Sequence, residues 1–202
     1  MVLALYYFCG DFMDKKNIEI FYDYFDFISN HLYHEYQKTY LEGMNEAFSL
    51  LLDDKTEGDY REEDILLLRE QKEKIIDIEF HPEEVRKSVQ LGLLKGYKHA
   101  YLSNAQITPD TLGLFMGYLI KKLYNKRPLE SILDPLVGTG NLGYSIINYL
   151  EKDIKFYGVD DNHLKCSLSR NIGDLLNIEN EMFYQDTVSY YDQGFDCIVT
   201  DM

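Results

Sequence analysis

Apolar positions in the first hundred residues recur with helical spacing. Ile18, Phe21, Phe25, Ile28 and Leu32 stand 3, 4, 3 and 4 residues apart, which places them on one stripe of a helix. A second helix is predicted from about Tyr40 to Leu52, with Leu41, Met44, Phe48 and Leu51 turned inward, followed by a polar loop from Asp53 to Asp59. A third runs from about Glu62 to Lys74, and a fourth follows Pro82 and reaches about Lys98. Pro82 suits a first helical position, where its missing N–H would have had no partner anyway. No strand-like alternation is longer than Ile76 to Phe80, so residues 1–103 are expected to form a helical domain.

The pattern changes over residues 104–202. Thr108 is a good N-cap, Pro109 suits the first turn and Asp110 favours the helix dipole, and Leu112, Phe115, Met116, Leu119, Ile120 and Leu123 follow at helical spacing. Then come a strand Ser131–Asp134, a helix Asn141–Tyr149, a strand Lys155–Asp160, a helix Asn162–Leu176 and strands Met182–Gln185 and Phe195–Thr200. Strands alternating with helices of this length imply an α/β fold, a parallel sheet covered by helices on both faces.

Charge narrows the partners. The formal net charge is −15, and both halves share the deficit, with 21 acidic and 12 basic side chains in residues 1–100 and 14 and 8 in the remainder. Phosphate backbones are gripped by Lys and Arg, so the chain has no evident basic face for nucleic acid beyond a local patch of Lys121, Lys122, Lys126 and Arg127. Cys9, Cys166 and Cys197 lack paired metal spacing and read as reduced thiols of a cytoplasmic protein. The apolar run Val2–Cys9 is too short to span a bilayer and reads as a buried element, so no membrane association is expected. No metal site is expected either: His31 and His34 lie three apart on a helix without a nearby Cys or carboxylate pair.

The chemistry concentrates in Ile132-Leu-Asp-Pro-Leu-Val-Gly-Thr-Gly-Asn-Leu-Gly143, a strand ending in a carboxylate and running into a glycine loop that opens a helix. Gly138 and Gly140 can take backbone angles closed to other residues and leave N–H groups at the positive end of that helix. Alone, Gly138-x-Gly140-x-x-Gly143 also fits a dinucleotide-binding turn. In an open parallel sheet ligands sit beyond the carboxyl ends of the strands, and Asp134, Asp160, Asp186 and Asp201 all fall there. Asp160, 22 residues past Gly138, can accept from ribose hydroxyls of NAD or of S-adenosylmethionine alike. The Asp134-Pro135 pair separates the two: a carboxylate before the loop repels pyrophosphate but can face an ammonium or sulfonium.

These segments, with Gln106-Ile-Thr-Pro-Asp110 ahead and Tyr157-Gly-Val-Asp160, Gln185-Asp186 and Phe195-Asp-Cys-Ile-Val-Thr-Asp201 after, resemble the adenine-N6 DNA methyltransferase family. The likeness is to the small bacterial relatives of type I restriction-modification subunits, and Glu84-Val-Arg-Lys87 to Lys95-Gly96 is similar to that family's N-terminal region. The resemblance implies S-adenosylmethionine as cofactor, with Thr108 and Pro109 over its methionine end, Asp134 and Pro135 by its amino group and Gly138, Thr139, Gly140 and Asn141 along its backbone contacts. Asp160 would then hold the ribose, Asp161 line the adenine edge and Asp186 accept from the cofactor's N6 amino group.

Methyl transfer from a sulfonium needs chiefly in-line placement of the acceptor nitrogen. The family does this with an Asn/Asp-Pro-Pro-aromatic motif after the fourth strand. Asp201 stands at its first position, as the candidate catalytic residue, and Met202 replaces the first proline. The chain is accordingly expected to be an N-terminal portion of a longer enzyme, holding four strands of an incomplete methyltransferase sheet and inactive by itself. Its open edge at Phe195–Thr200 would be covered by self-association or by the missing half, and DNA would be a partner of the intact form. The rival readings are a non-catalytic S-adenosylmethionine-binding interaction module, an amino-methylating enzyme acting on RNA or protein glutamine, and an NAD-dependent oxidoreductase.

Overall fold

The computed structural model describes residues 14–100, 107–125, 127–190 and 194–201. The run Val2–Cys9, Gln106, Lys126 and Met202 lie outside them. The chain divides into two compact units, Met1–Gly96 and Tyr97–Met202.

In the first unit, α1 (Lys15–Tyr36), α2 (Tyr40–Asp53), α3 (Glu62–Glu73) and most of α4 (Pro82–His99) pack around an aromatic core. Asp14 caps α1 by accepting from the Lys16 N–H. Thr39 and Glu42 form a reciprocal capping box that starts α2. The α1 stripe buries Phe21, Phe25, Ile28 and Leu32 as its spacing requires. Phe25 and Phe48 meet edge to face with centroids 5.5 Å apart. Gly92 and Gly96 let α4 approach this core so closely that a Cβ would strike Phe25 and Leu41 respectively. Buried acids here are answered in place: Glu46 accepts from the Tyr60 hydroxyl at 2.5 Å and the Glu57 N–H at 2.8 Å. Asp64 accepts from Tyr36 and Arg61, which, together with His31, hold its carboxyl down to about 2. Ile76–Phe80 forms no strand; it is a turn and extended linker between α3 and α4.

The second unit has the α/β fold expected. After α5 (Asp110–Leu123) come β1 (Ser131–Asp134), α6 (Asn141–Leu150), β2 (Lys155–Asp160), α7 (His163–Leu175), β3 (Asn180–Tyr184), a 3₁₀ turn at Thr187–Ser189 and β4 (Cys197–Ile198). All strand pairings are parallel, in the order β3-β2-β1-β4. Strands β1 and β2 carry fully buried Ile132, Phe156 and Val159, as a sheet covered on both faces demands. Near the start of β4, the Asp196 carboxylate accepts from the N–H groups of Glu130 and Ser131 at 2.8 and 3.0 Å, fixing the register of this short pairing.

Three details depart from the sequence pattern. Strand β3 begins two residues earlier than predicted, and β4 is paired only over Cys197–Ile198. Pro109 rather than Thr108 is the N-cap of α5, with no side-chain cap, because the Thr108 hydroxyl is engaged elsewhere. Most consequentially, the buried face of α5 takes only Ile120 from its apolar stripe. Gly113, Gly117 and Ile120 are buried, while Leu112, Phe115, Leu119 and Leu123 are exposed, Leu123 at 74%. The helix docks through its glycines: a Cβ at Gly113 would lie 2.5 Å from Ser145 Cβ, and one at Gly117 would lie 2.8 Å from the Tyr149 ring, both residues of α6.

Candidate functional site

Strands β1 and β2 end side by side in acids, Asp134 and Asp160, with Asp134 level with Gly158. The chain leaving β1 stays with the sheet for one more bond, from the Val137 N–H to the Val159 carbonyl, and then turns through Gly138 and Gly140 into α6. Both glycines have positive φ, 54° and 80°. They differ in surroundings: a Cβ on Gly140 would strike Tyr144 and Ser169, whereas one on Gly138 would meet nothing within 4 Å. Gly140 is thus required by the fold, and Gly138 faces open space, as a loop that receives a ligand must. Thr139 between them is buried.

Asp160 ties this loop to β2. One carboxylate oxygen accepts from the Gly138 N–H at 3.0 Å and the other from the Asn162 N–H at 2.9 Å. Asp134 is the more exceptional group, being 1% exposed. It accepts the Leu136 N–H at 3.0 Å and has the Thr200 hydroxyl in reach. Burial pushes its carboxyl up to about 7 against these two bonds, and the charges of Asp201 and Asp160 push the same way.

Asp201, three residues beyond β4, accepts from the Thr108 hydroxyl at 2.5 Å, and the Thr108 carbonyl accepts from the Asn141 side-chain amide at 2.5 Å. The residues before α5, at the start of α6 and after β4 are therefore joined through Thr108. The Pro135 carbonyl accepts from the Thr187 hydroxyl, closing the other side of the loop.

The structure thus brings together Thr108, Asp134, Gly138, Asn141, Asp160 and Asp201, with Pro135, Thr139 and Gly140 in the same loop. Pro109 caps α5 nearby and is exposed. Asp161 is exposed at the turn after β2. Asp186 is exposed too, and its carboxylate caps the 3₁₀ turn by accepting from the Val188 N–H at 2.8 Å. Sequence reasoning missed the Leu136 N–H and Thr200, which sit on Asp134; position gave no sign of the first, and the second was hidden beside the more conspicuous Asp201.

Three carboxylates of one sign around an open-sided glycine loop favour a ligand that brings positive charge and disfavour one that brings phosphates. Among the described residues no group of three or more His, Cys, Asp or Glu side chains is placed to hold a metal ion, and no helix is long and apolar enough to cross a membrane.

A helical unit followed by this parallel sheet, with its glycine loop after the first strand, defines a protein with a methyltransferase-like fold. The structure is similar to that of a Listeria monocytogenes protein assigned provisionally to the class I S-adenosylmethionine-dependent methyltransferases, with a TM-score of 0.83 and 33% identity over 93% of this chain and 59% of that one. Residues 19–97 match the model of the YtxK N-terminal helical domain. YtxK of Bacillus subtilis is 32% identical over 182 residues, 87% of this chain and 54% of YtxK. The chain therefore spans about half the length of the curated relative it matches.

Proposed function

We propose that the second unit binds S-adenosylmethionine at the loop between β1 and α6 and that the intact form acts as a methyltransferase on an amino group, with adenine N6 in DNA as the preferred acceptor. The observation that carries this reading is Asp134: a carboxyl 1% exposed, held near neutrality and facing two further acids, accommodates a ligand ammonium far better than a phosphate. The open side of Gly138 fits the same ligand. When bound, the cofactor supplies a methyl group on a sulfonium, a strong donor.

The chain's own residues bind and orient. Asp134 would hold the methionine ammonium, losing its proton to solvent as it ionises. Asp160, already fixed by the Gly138 and Asn162 N–H groups, has lone pairs left for ribose hydroxyls. Asp201, whose carboxylate accepts from the Thr108 hydroxyl, would accept from the acceptor amino group. DNA enters as substrate class through the adenine-N6 resemblance of the loop and of the Asp201 segment. The net charge of −15 supports a second reading, a regulatory module that keeps the cofactor site without gripping nucleic acid.

Calorimetric titration with S-adenosylmethionine, S-adenosylhomocysteine and NAD tests the binding reading: the first two are expected to bind and NAD is not. Tritiated methyl transfer to adenine-containing DNA by the intact form, measured alongside, separates the enzyme from the regulatory module.

A further inference from the structure

Tyr97 lies near the end of α4 and opens the second compact unit. Its side chain is 1% exposed, and its hydroxyl is buried without a hydrogen-bond partner among the described residues. Thr139 of the glycine loop lies close enough to ease its ionisation, and the charge of Asp160 opposes it, but neither closes a hydrogen bond of proper geometry. A buried hydroxyl left this way destabilises the fold that carries it, and phenylalanine would fill the same space without that cost. The loop it faces is built to turn: Thr139 stands between two positive-φ glycines, one of them bordered by open space.

We propose that Tyr97 is a positioning residue of the cofactor site, its hydroxyl held in reserve beside the glycine loop to pair with Thr139 when a ligand engages Gly138 and Gly140. The inference rests on the S-adenosylmethionine reading above. A ligand bonding the loop's backbone reorients the peptide groups flanking Thr139, and the Thr139 hydroxyl swings into line with the phenol. The pairing lost in the free protein is then recovered in the bound one, so Tyr97 strengthens binding without touching the ligand.

The test is a double-mutant cycle read by calorimetry with S-adenosylmethionine, using the wild type, Tyr97→Phe, Thr139→Val and the double variant, with the melting temperature of each free protein. Each single variant is expected to weaken binding about fivefold to tenfold, as loss of one neutral hydrogen bond does. The double variant should bind no worse than the singles, and free Tyr97→Phe should melt at or above the wild-type temperature. Unchanged affinity in Tyr97→Phe, losses that multiply in the double variant, or a melting temperature that falls together with affinity would overturn the proposal. A wild type that fails to bind S-adenosylmethionine overturns the cofactor reading itself and the proposal with it, whereas a wild type that binds beside an unaffected Tyr97→Phe overturns the proposal alone.

Discussion

Replacing Asp134 with asparagine should stabilise the protein, and more so as the pH rises. The carboxyl is raised from 3.8 to about 7, a difference of roughly three pH units, chiefly by burial. Since the folded state holds this proton more tightly than the unfolded state, the stability it lends is full below pH 4 and is lost as the pH climbs toward 7. At about 1.36 kcal/mol per pH unit, the wild type at pH 8.5 carries a penalty of about 4 kcal/mol, and at pH 5.5 about 2 kcal/mol. Asparagine keeps the oxygen that accepts from the Leu136 N–H and never ionises, so it escapes the penalty at every pH. Urea unfolding of both proteins between pH 5.5 and 8.5, above the pI of about 4.6, should show Asp134→Asn more stable throughout, the gap widening by about 2 kcal/mol. The same variant should bind S-adenosylmethionine poorly, since its amide offers an ammonium no charge. A gap that does not change with pH, or a wild type more stable than the variant at pH 8.5, would refute the assignment of Asp134 as a desolvated acid.

Asp160→Ala should weaken S-adenosylmethionine by about 1 to 3 kcal/mol through loss of charge-assisted bonds, measured by calorimetry; unchanged affinity would remove Asp160 from the ribose site. Gly113→Ala should destabilise the second unit by about 1 to 3 kcal/mol, because its Cβ would lie 2.5 Å from Ser145 Cβ, while Phe115→Gln on the exposed side of the same helix should cost about 0.5 kcal/mol or less by urea unfolding. Thr39→Ala should cost about 1 kcal/mol by removing the capping box that starts α2.

Much of the fold could be read from spacing. The stripe from Phe21 to Leu32 and the strands ending in Asp134 and Asp160 behave as a helix with one wet face and strands with two dry ones must. Periodicity located α5 but not its packed face, because it places apolar residues without saying which side a neighbour can approach. Gly113 and Gly117 allow a closer approach of α6 than Leu112 or Phe115 would, so backbone proximity decided the packing. Thr108 misled for a related reason: its type suited a cap, but the competing acceptor, Asp201, lies 93 residues away and is invisible to local pattern. The site was legible where chemistry is local, as in the loop from Asp134 to Asn141. It was not legible where it depends on burial, which alone makes Asp134 unlike the exposed Asp161 and Asp186.

The central claim is that the crevice beside Asp134 receives the ammonium of S-adenosylmethionine, and a crystal structure of the complex tests it most directly. The ligand's amino nitrogen should lie within about 3.2 Å of an Asp134 oxygen, with the ribose at Asp160. A ligand seated elsewhere, or a loop between β1 and α6 left empty at saturating concentration, would contradict it.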